Sequence, residues 1–175
     1  ARATLLVPTA SVSEFKALVD RYAGIYQSEL AATEANLTVL LNGRDTPAKL
    51  MSESLQTRLL DALVACPNGV MRMSDAIPGV TETSTNLGVI KTLEGEVYVQ
   101  CLIRSLIDSG RESVEQMTRS LFSLAGASCE FTGAYPGWAP NVDSPVMALV
   151  RSSYQTLFGE MPNVMVIHAG LECGL

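Results

Sequence analysis

Apolar residues recur along this chain in two rhythms, one spaced as in helices and one as in strands. Ala3-Thr-Leu-Leu-Val7 is a largely apolar run closed by Pro8, which predicts a short buried strand. Ser11-Val-Ser-Glu14 has the spacing of a capping box, and Phe15, Leu18, Val19, Tyr22, Tyr26 and Leu30 then recur every three or four residues. That periodicity predicts a helix of about five turns. Leu37–Leu41 returns to a strand-like run, giving a β-α-β opening. A polar stretch with Pro47 follows, and Leu55, Leu59, Leu60 and Leu63 mark one face of a second helix that stops near Cys66-Pro-Asn-Gly69. Between Met71 and Thr83 the pattern fades around Pro78-Gly79, which predicts an insertion.

Thr85–Thr92 and Glu96–Leu102, rich in Val, Ile or Thr and joined by Leu93-Glu-Gly95, predict a hairpin. A helix over 112–125 is expected next, with Val114, Met117, Leu121 and Leu124 inward, and Ser128–Gly133 suits a closing strand. The predicted class is α+β: a β-α-β-β-α-β, ferredoxin-like domain with an inserted helix, its sheet backed by helices. Beyond it, Ala134-Tyr-Pro-Gly-Trp-Ala-Pro140 is turn-dense, and Ser144-Pro145 supplies a cap and an N1 proline. The helix they open carries Met147, Val150, Tyr154 and Phe158 inward, and Asn163–Ile167 forms a last strand running into glycines. A domain boundary is expected near Gly133. The short α-β piece over 134–175 cannot bury its own faces and needs a partner domain.

Composition narrows the function. With 47% hydrophobic and 17% charged residues, the 175-residue chain has apolar material for a core and too little charge for disorder. A net charge of −6 repels phosphate backbones, which argues against nucleic acid as a general partner. Cys66, Cys101, Cys129 and Cys173 lie far apart without a CxxC, so reduced thiols in a cytoplasmic protein are expected. No apolar run reaches the roughly eighteen residues of a membrane span. The chain starts at Ala1, enters an apolar run almost at once and stops among glycines, as expected of a segment cut from a longer protein.

The only histidine, His168, stands four residues before Glu172 and beside Cys173 in sequence, a spacing that on a helix points two ligands at one metal. Gly170 and Gly174 argue against a helix there, and a nucleophilic pairing of His168 with Cys173 within one glycine-rich loop lacks the usual separation of elements. The same loop offers backbone N–H groups to an anion, or is simply a turn that needs glycine. Arg104 ends an apolar strand, where a guanidinium either forms a salt bridge at the sheet edge or grips a carboxylate bidentately. Thr85 and Asn86 are either substrate hydrogen-bonders or ordinary turn residues. For the cysteines, core packing is the expected role.

Four longer stretches carry a resemblance: Val80-Thr-Glu-Thr-Ser-Thr-Asn-Leu-Gly-Val-Ile90, Gln100-Cys-Leu-Ile-Arg-Ser-Leu-Ile-Asp-Ser-Gly110, Gly133-Ala-Tyr-Pro-Gly-Trp138 and Ile167-His-Ala-Gly-Leu-Glu-Cys-Gly-Leu175. In this order they resemble the aminoacyl-histidine (Xaa-His) dipeptidases of the dizinc metallopeptidase family. The resemblance implies an internal fragment of a protein over twice as long, in which residues 1–133 are most of an inserted lid and 134–175 re-enter the catalytic domain. It implies a cytosolic enzyme that hydrolyses Xaa-His dipeptides with two divalent metals, zinc expected, held by motifs absent from this sequence. The fragment is therefore expected to contain no catalytic or metal-binding residue and to be inactive alone. Carried over residue by residue, Arg104 is the lid arginine that clamps the substrate carboxylate, and Thr85 and Asn86 line the same pocket. Glu172 and Gly174 match the loop that receives the amino group and substrate backbone. A homodimer through the lid is the implied partner. The alternative of another class is a non-catalytic α+β dimerisation or interaction module, motivated by the same missing metal motifs.

Overall fold

The structure, a computed structural model, describes residues 1–47, 49–93, 95–141 and 143–168. It divides into two compact units, Ala1–Met51 and Ser52–Leu175.

The first unit is built on one helix. A 3₁₀ turn over Thr9–Ser11, closed by Ser11 N–H donating to the Pro8 carbonyl at 2.8 Å, leads into α1 (Val12–Glu29). Ser11 is held in that turn and its hydroxyl makes no cap, so the expected capping box does not form. The predicted strands at Ala3–Val7 and Leu37–Leu41 are not strands either. A strand exists only through a ladder partner, and among the described residues these runs have none; Leu40 is 79% exposed. No described residue of this unit is buried.

The second unit holds the core. Helix α2 (Glu53–Ala65) is capped by the Ser52 hydroxyl, which accepts from Leu55 N–H at 3.3 Å. Strands β1 (Gly69–Met73), β2 (Thr81–Leu93) and β3 (Glu96–Ser105) form an antiparallel sheet in the order β1-β2-β3. The predicted hairpin is present, and longer than expected. The stretch expected as an insertion contributes β1, whose pairing with Thr81–Thr85 is broken by two register shifts. That irregularity is why no period-two pattern was legible there.

Helix α3 (Asp108–Leu124) begins four residues before the expected start because Gly110 sits inside its first turn instead of ending the preceding loop. Its inward face is Val114, Thr118 and Phe122, spaced by four, while Met117 is 46% and Leu124 86% exposed. The predicted face was rotated by about one position. Ala62, Cys66 and Phe122 form the buried centre, with Leu87, Val99, Cys101 and Leu121 packed against it, so both helices cover one face of the sheet. Helix α3 ends in a Schellman motif: Gly126 takes φ 77°, Ala127 N–H donates to the Phe122 carbonyl and Gly126 N–H to that of Ser123.

Ser128–Gly133 and Asn163–Ile167, predicted as strands, have no ladder partner among the described residues and are irregular. The first is held otherwise, Cys129 packing on the core and Phe131 lying under the Arg119 guanidinium at 4.7 Å. Helix α4 (Pro145–Phe158) starts at the expected Ser144-Pro145. Its apolar side chains Val150 and Phe158, expected inward, are exposed. No described helix is long and apolar enough to cross a membrane.

Candidate functional site

Strand parity decides which side chains meet. Ser84 pairs with Arg104, Thr85 with Ile103 and Asn86 with Leu102 across β2 and β3. Ser84, Asn86, Leu102 and Arg104 therefore project from the face away from the helices, while Thr83, Thr85, Cys101 and Ser105 project toward them.

On the helix face, Thr83 and Ser105 hydroxyls hydrogen-bond at 2.8 Å directly beneath Gly110. Thr85 is 3% exposed, and its hydroxyl has no partner among the described residues. It shares neither face nor contact with Arg104.

On the open face, Arg104 Nη1 donates to the His168 carbonyl at 2.9 Å, and Ser84 Oγ lies 2.7 Å from His168 Nε2. Two directly paired strand residues thus hold one histidine, by its ring and by its backbone. Burial lowers the His168 pKa from its ordinary value, and the Arg104 charge lowers it further, so the ring is neutral at neutral pH. Asn86, exposed on the same face two residues along, completes the row Ser84–Asn86.

The connector after α3 closes one side of this region. Gly137 N–H donates to Asp108 Oδ1 at 3.0 Å, and a Cβ at Gly137 would come within 2.9 Å of the Leu106–Ile107 backbone. Only glycine lets the Tyr-Pro-Gly-Trp turn seat against the junction of β3 and α3. An open cavity of about 1430 Å³ runs along β3 and is not confined to one face: Leu59, Ala62, Thr118 and Phe122 line it on the helix-covered side, and Arg104 and His168 line it on the open side, beside the segments over 127–135 and 164–168.

Arg104 and Asn86 are brought together on one face; Thr85 is not with them. Glu172 and Gly174, with Cys173, lie outside the described residues. Sequence reasoning missed Ser84 and the place of His168 beside Arg104. The signal for Ser84 was available, because a strand residue two before Asn86 must share its face, whereas the adjacent Thr85 cannot. Among the described residues, no three His, Cys, Asp or Glu side chains gather where they could hold a metal ion. The described part of the chain therefore does not fit a divalent-metal centre.

No family model matches the chain. It is 50% identical over 174 residues to the cytosol non-specific dipeptidase of Escherichia coli (strain K12), covering 99% of this chain and 36% of that protein. The crystal structure of aminoacylhistidine dipeptidase from Vibrio alginolyticus superposes on 96% of this chain with a TM-score of 0.90 and 49% identity, covering 34% of that chain. This chain is a homologue of these dipeptidases. It spans about a third of the length of the dipeptidases it matches. The resemblance read from the four sequence stretches is borne out, and the α+β architecture fits a part of a dipeptidase.

Proposed function

We propose that this chain is the substrate-clamping segment of a cytoplasmic metal-dependent dipeptidase that cleaves Xaa-His dipeptides. In this reading residues 1–133 belong to a ferredoxin-like lid that also mediates a homodimer, and 134–175 begin the return into the catalytic domain. The series α2-β1-β2-β3-α3, with both helices on one face of the antiparallel sheet, supports the ferredoxin-like assignment. The two divalent ions, zinc, are held by residues outside this chain, and no step assigned to its side chains runs through them.

The observation that carries the proposal is the placement of Arg104. A guanidinium on the open face of the sheet, lining a groove and with no acidic side chain paired to it among the described residues, is suited to a carboxylate ligand. The dipeptide's C-terminal carboxylate is the group it grips, with Asn86 beside it. Glu172 and Gly174 receive the other end of the substrate, so that the two charged termini are measured against each other. Thr85, which the resemblance places in the same pocket, is buried on the helix-covered face and supports the strand.

The test uses the whole protein that carries this chain, comparing hydrolysis of Ala-His with that of Ala-His amide. Loss of a charge-assisted hydrogen bond is worth about 1.5–3 kcal/mol, so Arg104→Ala lowers kcat/KM for Ala-His by roughly 10- to 150-fold. The amide, which lacks the carboxylate, changes far less. Equal losses on both substrates would refute the clamp.

A further inference from the structure

We propose that Ser84 is a positioning residue that holds the Arg104 guanidinium in place by acting through His168. The inference rests on the carboxylate-clamp reading of Arg104 given above and adds a residue to it.

Arg104 has a long side chain whose terminal group is free to sample several rotamers unless something engages it. One partner does so among the described residues: the His168 carbonyl, which accepts from Nη1 at 2.9 Å. That carbonyl orients the arginine only as well as His168 itself is held, and His168 lies in an irregular segment without ladder bonds. What holds it is the Ser84 hydroxyl, 2.7 Å from Nε2. Ser84 and Arg104 are opposite one another in the β2–β3 ladder, so both arms of the brace spring from one rigid pair of strand residues. The brace occupies one N–H of the guanidinium and leaves the remaining donors for a ligand.

Serine suits this position for a specific reason. Its hydroxyl both donates and accepts, so it satisfies Nε2 in either neutral tautomer, and its short side chain keeps the ring close to the sheet. Immobilising a side chain before the ligand arrives removes an ordering cost of about 0.5–1.5 kcal/mol from binding, which corresponds to roughly a 2- to 12-fold change in affinity. The effect therefore falls on KM.

Two measurements test the assignment. The whole protein that carries this chain is labelled with ¹⁵N-histidine, and the His168 imidazole is assigned as the signal that disappears in His168→Gln. In the wild type this imidazole is expected to show a single hydrogen-bonded tautomer, with the Nε2 resonance moving on Ser84→Ala and returning on Ser84→Thr. In the whole protein, Ser84→Ala is expected to raise KM for Ala-His about fivefold with kcat within twofold, and Ser84→Thr to restore it. A merely destabilised protein would lose kcat through its inactive fraction and keep KM. An unchanged Nε2 resonance, an unchanged KM, or a raised KM that Thr fails to rescue overturns the proposal. Arg104→Ala run in parallel separates the two claims. If it leaves the preference for Ala-His over the amide intact, the clamp reading fails, whereas an effect of Arg104→Ala with a silent Ser84→Ala fails the brace alone.

Discussion

Replacing Gly110 by alanine tests how tightly α3 is docked over the residues that back the clamp. Gly110 lies in the first turn of α3, directly above Thr83 and Ser105. An added Cβ would stand 2.5 Å from Thr83 Oγ1, 2.7 Å from Ser105 Oγ and 3.2 Å from Ile107 Cγ1. The first two separations are shorter than real Cβ contacts, so something must move. Ser105 can rotate, but Thr83 is buried and β-branched, and turning its χ1 brings its methyl into the space the hydroxyl left. Overpacking of this kind costs about 1–3 kcal/mol. Separating the Thr83–Ser105 hydroxyl pair adds about 1 kcal/mol, and the better helix propensity of alanine returns at most about 1 kcal/mol. The net expectation is a destabilisation of about 1–3 kcal/mol, read from urea unfolding followed by circular dichroism. Thr83 and Ser105 are the neighbours of Ser84 and Arg104 along their strands. Their displacement is therefore expected to raise KM for Ala-His as well. A Gly110→Ala protein as stable as wild type, or more so, would show that the helix does not press on the sheet here and would refute the reasoning.

Two further expectations follow from the helix-covered face. Thr85→Val replaces a buried hydroxyl that has no partner among the described residues with a methyl of the same shape, so it is expected to stabilise the protein by about 1 kcal/mol and to leave the Ala-His preference over the amide unchanged; a fall in that preference in steady-state assays would return Thr85 to the substrate pocket. Burial, and after it the neighbouring Cys66, pushes the Cys101 thiol up to about 11 from its ordinary 9.0. The folded chain therefore keeps that proton between these values while the unfolded chain releases it, and stability declines as pH rises through the window. The matching chemical readout is alkylation by iodoacetamide at pH 8, expected to be about a hundredfold slower at Cys101 in the folded chain than in urea, following the thiolate fraction. Equal rates by mass spectrometry would contradict it.

The elements legible in the sequence were those whose signal is local. The helices announced themselves by spacing, α4 also by its first-turn Pro145, and the β2–β3 hairpin by two β-rich runs around Leu93-Glu-Gly95, whereas the Ser52 cap was not read from the sequence and the expected Ser144 cap makes no side-chain hydrogen bond. The errors fell where structure depends on a partner elsewhere in the chain. Leu37–Leu41 and Ser128–Gly133 have strand composition, yet no ladder pairs them among the described residues. β1 has a pairing partner but no clean alternation, because two register shifts break it. The orientation of α3 was misread by one position because Thr118, a polar residue, sits in the buried stripe and Leu124, an apolar one, does not.

The candidate site divides along the same line. Arg104 was picked out by chemistry and by resemblance, whereas Thr85 and Asn86 were grouped together although strand parity places them on opposite faces. Nothing local to His168 links it to residue 84 or 104, which lie 84 and 64 positions away; that contact exists only once the chain after α4 returns to the sheet. A long-range contact of this kind explains why a lone histidine, whose spacing to Glu172 and Cys173 suggests a metal ligand or a nucleophile's partner, finds a simpler chemical use. Kept neutral by burial and by the adjacent guanidinium, it is a poor proton carrier near Arg104 and a good rigid strut, with one ring nitrogen for Ser84 and a carbonyl for the arginine. The cation that depresses its pKa is also the group it orients, so protonating the ring would place like charges side by side and weaken the brace. For that reason its role in this chain follows from geometry and charge together, and neither the spacing to Glu172 nor the proximity of Cys173 in sequence is needed to account for it.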